Sequence, residues 1–153
     1  MTRLLIVSHA PSPATQALLS AVVEGASHPD ILGVTVDVRS PFDTEPEHVL
    51  GAQGILLGTT ENFGYMSGAL KDFFDRIYYP CLEETQAMPC ALYVKGGLDG
   101  TGAERSVLGI IGGLKWKMVF EPVIMKGSLD KDWLPKLAEL GMGMAAGLEA
   151  GIF

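Results

Sequence analysis

The sequence predicts an α/β fold of the doubly wound kind: a parallel five-stranded sheet held between two layers of helices. Three observations predict it. Apolar residues switch repeatedly between strand period and helix period along the chain, the pattern of successive βαβ units. Three strand-like runs, Leu4–Val7, Ile55–Leu57 and Ala91–Val94, are apolar on both faces, as central strands of a parallel sheet must be. Two others carry the marks of edges. One places Thr35 and Asp37 between Val34, Val36 and Val38. The other, Lys117–Met125, contains Pro122, which has no N–H to give to a ladder. Two edges and three central strands, joined by right-handed crossovers, give the order 2-1-3-4-5.

The elements follow in order. Arg3–Val7 is the first strand. Leu18, Leu19, Val22 and Val23 recur at helical spacing within Pro13–Ala26, and Val34–Val38 alternates as the second strand. Pro46–Leu50 is a short helix and Gly54–Leu57 the third strand. Met66, Leu70, Phe73 and Ile77 mark one face of a helix; Cys90–Val94 is the fourth strand. Val107, Ile110, Ile111 and Leu114 mark another helix, Lys117–Met125 the fifth strand, and Trp133, Leu137, Leu140, Met144 and Leu148 the last helix. No repeat or linker interrupts the 153 residues, so residues 1–153 are expected to form one domain.

Composition removes several classes of function. With 48% hydrophobic and 19% charged residues the chain is expected to fold rather than stay disordered. A net charge of −7 argues against nucleic-acid binding, which needs a basic footprint. No apolar run approaches the roughly 18 residues of a membrane span, and no signal-peptide pattern is visible, so no membrane is expected and the location is read as cytoplasmic. Cys81 and Cys90 form no disulfide framework and have no histidine at metal-ligand spacing. They are expected to be reduced thiols, and no metal site is expected.

In this sheet order ligands bind at the carboxyl ends of the strands, beside the switch point between strands 1 and 3. The loops after strands 1, 3 and 4 converge there, and each has unusual chemistry. The first, Ser8-His9-Ala10-Pro11-Ser12-Pro13-Ala14-Thr15, offers three hydroxyls and the N–H groups of Ala14 and Thr15 at the positive end of a helix, a suitable place for an anion. Ser12 is a good N-cap and Pro13 a good first helical residue. The second, Gly58-Thr59-Thr60-Glu61-Asn62-Phe63-Gly64-Tyr65-Met66, reads as a long loop able to hold a flat heteroaromatic ring. The third, Lys95-Gly96-Gly97-Leu98-Asp99-Gly100-Thr101-Gly102, contains four glycines that let backbone N–H groups approach a ligand.

The segment Gly58-Thr59-Thr60-Glu61-Asn62-Phe63-Gly64-Tyr65-Met66-Ser67-Gly68-Ala69-Leu70-Lys71-Asp72-Phe73-Phe74-Asp75-Arg76 resembles the flavodoxin-like flavoproteins, close to the branch of NAD(P)H-dependent FMN reductases and NAD(P)H:quinone oxidoreductases. Phe-Gly, Met-Ser and Lys-x-Phe-x-Asp stand in that family's arrangement; Thr60 stands where the family commonly has proline. The spacing of Ser8 to Thr15 is similar to the family's phosphate loop, and the resemblance runs over nearly the whole chain. It implies a flavodoxin-like three-layer α/β/α sandwich and FMN as cofactor. The phosphate would lie on Ser8, Ser12, Ala14 and Thr15, with Pro13 in the same loop. The ring would lie on Thr60, Glu61, Asn62, Phe63 and Gly64, following Thr59. The third loop, Gly96, Gly97, Leu98, Asp99, Gly100 and Gly102, would face the pyrimidine edge.

Two activities fit that resemblance. One is an enzyme that takes electrons from NAD(P)H and passes them through FMN to a quinone, a flavin or a similar acceptor. No catalytic side chain is expected, because the cofactor carries the chemistry. The other is an electron-transfer carrier that docks on a redox protein, which the net charge favours. Tyr78 and Tyr79 are read as packing residues; a homodimer is compatible with either activity, and in one they could reach the partner's pocket. Related sheets are excluded by their motifs. The first loop has neither the acidic pair of a response-regulator receiver, nor a dinucleotide fingerprint, nor the cysteine and arginine of a low-molecular-weight phosphatase.

Overall fold

The computed structural model describes residues 1–153. The strands are β1 Thr2–Ser8, β2 Val34–Arg39, β3 Gly54–Asn62, β4 Tyr65–Met66, β5 Pro89–Gly96, β6 Lys117–Met118 and β7 Val123–Lys126. The helices are α1 Pro13–Ala26, α2 Pro46–Leu50, α3 Gly68–Cys81, α4 Thr101–Leu114 and α5 Trp133–Ala150, with a 3-10 turn at Pro41–Asp43. None of the helices is long and apolar enough to cross a membrane.

Parallel ladders run β2-β1-β3-β5, and both β6 and β7 pair with β5. The spatial order is the expected one, with two differences. The fifth strand is broken: β6 pairs with Pro89 and Cys90, and β7 pairs with Tyr93–Gly96. The residues between, Val119–Pro122, leave the ladder after the Val119 N–H donates to the Cys90 carbonyl at 3.0 Å. Pro122, which can give no ladder hydrogen bond, ends this gap. The sheet is also not wholly parallel, because β4 folds back antiparallel on the end of β3, Glu61 opposite Met66 and Asn62 opposite Tyr65.

Strand alternation divides the core. Leu5, Val7, Ile55, Leu57, Leu92 and Val94 point to one face and pack with Leu70, Phe73 and Ile77 of α3 and Val107 and Ile111 of α4. Leu4, Ile6, Leu56, Ala91 and Tyr93 point to the other and pack with Leu18 and Val22 of α1 and Leu137 and Met144 of α5. The result is the expected three-layer sandwich. On β2, Asp37 accepts from Arg39 Nε at 3.0 Å and lies 3.8 Å from Arg3, so this edge is charged.

Two local devices fix the helices. Arg76 on α3 donates to the carbonyls of Thr44 and Pro41, each at 2.7 Å, and to Asp72 at 2.8 Å. It thereby ties the connection after β2 to α3. Helices α1 and α5 cross with backbones nearly touching. A Cβ on Gly141 would lie 2.1 Å from the Val22 carbonyl oxygen, and one on Gly25 would lie 1.9 Å from that of Ala138.

Alanine has the better helix propensity by about 1 kcal/mol, so the sign of a Gly→Ala change reports space. Gly109 on α4 is exposed, with nothing within 4 Å of an added Cβ. Gly109→Ala is expected to raise stability by up to about 1 kcal/mol. Gly141→Ala is expected to lower it by about 1–3 kcal/mol, as overpacking does. Urea unfolding of the two variants checks both signs.

Candidate functional site

The register brings the three loops to one end of the sheet: Ser8 lies opposite Gly58, Gly58 opposite Tyr93, and Thr60 opposite Lys95. The loops after β1, β3 and β5 therefore adjoin at the switch point. Concavities of the surface lie away from these loops, one of about 530 Å³ between α1 and α5 and one of about 340 Å³ between α3 and α4 beside Lys71 and Tyr79.

The first loop closes as a capping box. Ser12 Oγ accepts from the Thr15 N–H at 3.2 Å, and Thr15 Oγ1 accepts from the Ser12 N–H at 2.9 Å. The Thr15 amide is thus engaged rather than free, and Pro13 has no N–H. The Ala14 N–H is left without a partner, with the half-exposed Ser12 beside it and no acidic residue in the first turn of α1. Ser8 is deeper than expected. It is buried, and its hydroxyl pairs with Tyr93 OH at 2.6 Å. Burial pushes the Tyr93 phenol up to about 12, against the pull of the Ser8 hydrogen bond, so it stays protonated. Gly58 makes this possible, because a Cβ there would lie 2.3 Å from the Tyr93 ring. His9 donates its N–H to the Gly58 carbonyl at 3.0 Å, and desolvation lowers its pKa, leaving a neutral imidazole at pH 7.

The second segment is a hairpin rather than a long loop. β3 runs to Asn62, and the chain reverses at Phe63 (φ 54°) and Gly64 (φ 70°). Two left-handed residues are what a tight turn between twisted strands requires. A non-glycine residue there costs about 1–2 kcal/mol, and Phe63 bears that strain with its ring fully in solvent. Strain of this size concentrates at functional sites. Thr59 is buried under the hairpin. Its hydroxyl donates to the Thr60 carbonyl at 2.8 Å and accepts from the Ser67 N–H at 3.0 Å, joining β3 to the N-cap of α3. Thr60 Oγ1 and Asn62 Oδ1 face one another at 2.6 Å.

The third loop is short, because β5 continues to Gly96 and α4 begins at Thr101. Gly97, Leu98 and Asp99 are exposed. Gly96 and Gly100 approach so closely that a Cβ on Gly96 would lie 2.9 Å from the Gly100 nitrogen. The amides expected to face a ligand are engaged: Gly100, Gly102 and Ala103 donate to the Glu61 carboxylate at 3.2, 3.0 and 3.1 Å. Glu61 therefore faces α4, and of the loop's polar groups Asp99 is turned to the Thr101 N–H and hydroxyl at 3.0 and 2.9 Å. Those two hydrogen bonds lower the Asp99 pKa. Gly102 lies under the hairpin tip, its missing Cβ 2.0 Å from the Gly64 oxygen, and Ser106 accepts from the Met66 N–H at 3.1 Å. Sequence reasoning missed Tyr93 and Ser106, whose roles depend on contacts 85 and 40 residues apart in the chain.

No family model matches the chain. A curated NAD(P)H dehydrogenase (quinone) from Acidithiobacillus ferrooxidans is 29% identical over a 96-residue alignment covering 50% of this chain and 47% of that one. The chain spans about half the length of the curated relative it matches. Among solved structures, a flavodoxin from the domain Archaea superposes with TM-score 0.79 at 18% identity, covering 97% of this chain and 99% of that one. A WrbA-like flavodoxin protein from Agrobacterium tumefaciens gives 0.74 at 16% identity, with 98% and 99% covered. Oxidised Flavodoxin 1 from Bacillus cereus gives 0.74 at 12%, with 100% and 99% covered. The chain has the flavodoxin-like fold.

The hydroxyl of Thr59 supports a buried amide, so its removal is expected to leave the Ser67 N–H unpaired at a cost of about 1–3 kcal/mol. Thr59→Val preserves shape, and chemical denaturation of the protein without added ligand measures the loss.

Proposed function

We propose that this chain is an FMN-binding flavoprotein that accepts electrons from NAD(P)H and delivers them to a quinone, a flavin or a similar small acceptor. The observation that carries the reading is the meeting, at the switch point of a flavodoxin-like sheet, of three differently built surfaces. One is an acid-free helix start with an unpartnered Ala14 N–H and the Ser12 hydroxyl. The second is the exposed turn Asn62–Gly64; the third is the exposed loop Gly97–Asp99.

The donor set fits the cofactor at two of three places. The start of α1 presents the unpartnered Ala14 N–H to a phosphate group at the positive helix end, beside the Ser12 hydroxyl, which lies 2.9 Å from Thr15 Oγ1. The turn offers backbone and an aromatic ring to a flat heterocycle. At α4 the amides of Gly100, Gly102 and Ala103 already have an acceptor, so the pyrimidine edge would meet Gly97, Leu98 and Asp99. Bound FMN would supply the capacity to take up two electrons and release them to an acceptor. The chain's part is to hold and orient it. The protonated Tyr93 brings no charge to the floor beneath Ser8. The name of the curated relative supports an NAD(P)H-linked oxidoreductase. Buried Cys81 and Cys90, their thiols raised by desolvation, fit a reducing cytoplasm. The net charge of −7 favours a second reading, an electron carrier that docks on a redox protein.

FMN is expected to bind at least tenfold more tightly than riboflavin, because a charged hydrogen bond to the phosphate is worth about 1.5–3 kcal/mol. Fluorescence titration checks this, and equal affinities would remove the phosphate assignment. Mixing the FMN-loaded protein with NADH and with NADPH under anaerobic conditions separates the two readings. Rapid bleaching of the flavin band by either nucleotide is expected; reduction only through a partner reductase would make the chain a carrier.

A further inference from the structure

Helix α4 begins with one local acceptor, Asp99, which takes the Thr101 N–H at 3.0 Å and leaves the neighbouring amides to another element. Its N-cap is Gly100, held at φ 74° and lacking a side chain. The amides of Gly100, Gly102 and Ala103 are nevertheless all satisfied, by one carboxylate from another element. Glu61 Oε1 accepts from Gly100, and Glu61 Oε2 accepts from both Gly102 and Ala103. Glu61 is the penultimate residue of β3, immediately before Asn62 and the exposed turn. The same seam is closed by the Gly64–Gly102 backbone approach and by Ser106 on Met66.

We propose that Glu61 is a positioning residue for the flavin site, on the FMN reading given above: it does not touch the cofactor but locks the second and third loops into one surface. Three converging donors require two acceptor oxygens and favour negative charge at the helix start. Glutamine offers one acceptor oxygen and turns an NH2 group toward a donor. Aspartate is one methylene too short to span the seam. Glu61, together with Asp99 on the Thr101 N–H and Glu104 in the first turn, keeps a foreign anion from this helix start, so the Ala14 end of α1 is left as the anion-binding end of the site.

The test uses the whole protein and the Glu61→Gln and Glu61→Ala variants. Hydrogen exchange without flavin is read at Gly102 and Ala103, with β1 amides as the measure of global folding. At least tenfold faster exchange at the α4 start in Glu61→Gln, with β1 unchanged, is expected. FMN titration should show at least tenfold weaker binding for Glu61→Gln. Glu61→Ala should bind as weakly, and acetate should restore part of its affinity by entering the vacated space. Acetate should not rescue Glu61→Gln, whose side chain fills that space; the parent with acetate controls for competition at α1. Unchanged exchange would show that no lock exists. Faster exchange with unchanged FMN affinity, or weak binding that acetate does not relieve in a folded Glu61→Ala, would overturn the positioning role. If Glu61→Ala loses β1 protection, Glu61→Gln decides alone. A parent that binds no FMN overturns the flavin reading and this role with it, while the exchange result still decides whether the lock exists.

Discussion

A helix leaves its first amides unpaired, and a buried start without acceptors is costly. In α4 this constraint organises the carboxyl end of the sheet. Gly100 sits there at φ 74°, a left-handed conformation that favours glycine, and it has no side chain to accept from the helix amides. Asp99 takes the Thr101 N–H, and the acceptor for Gly100, Gly102 and Ala103 comes from another element, as Glu61. To deliver that carboxylate, β3 extends two residues beyond its last rung with β5, at Thr60, and then reverses tightly. The strained turn at Phe63 and the short return strand β4 follow from this extension.

The two helix starts facing the site thus have opposite electrostatic states. At α4 the partial positive charge is neutralised by a resident carboxylate. At α1 the capping box is made of neutral hydroxyls, so the helix dipole is left uncompensated. Beneath, Thr59 and the Ser8–Tyr93 pair satisfy their own hydrogen bonds, so the floor needs no ligand to complete it.

Most of the fold was legible because its signals are local. Ser12, Pro13 and Thr15 mark the start of α1 within four residues, and the doubly apolar runs mark β1, β3 and β5 as central. The break between β6 and β7 was not legible: Pro122 marks an edge but does not say how far the ladder lapses. The hairpin was misread as a loop because Thr59-Thr60-Glu61-Asn62 is polar on both faces and Phe63-Gly64 is not a usual turn pair. The four glycines of the third loop suggested amides open to a ligand. Two of them, Gly96 and Gly100, serve close backbone contact, and the amides found their acceptor 39 to 42 residues earlier in the chain, a pairing no local pattern encodes.

The interrupted outer strand has a consequence for how copies of this chain can meet. An unbroken peripheral strand is a template on which another sheet can grow. Here that border is split into a two-residue and a four-residue segment separated by a proline-ended gap. The opposite border, β2, carries Asp37 between Arg3 and Arg39. Neither border offers a long uncharged run, so each is a poor template for the edge-to-edge addition of another strand.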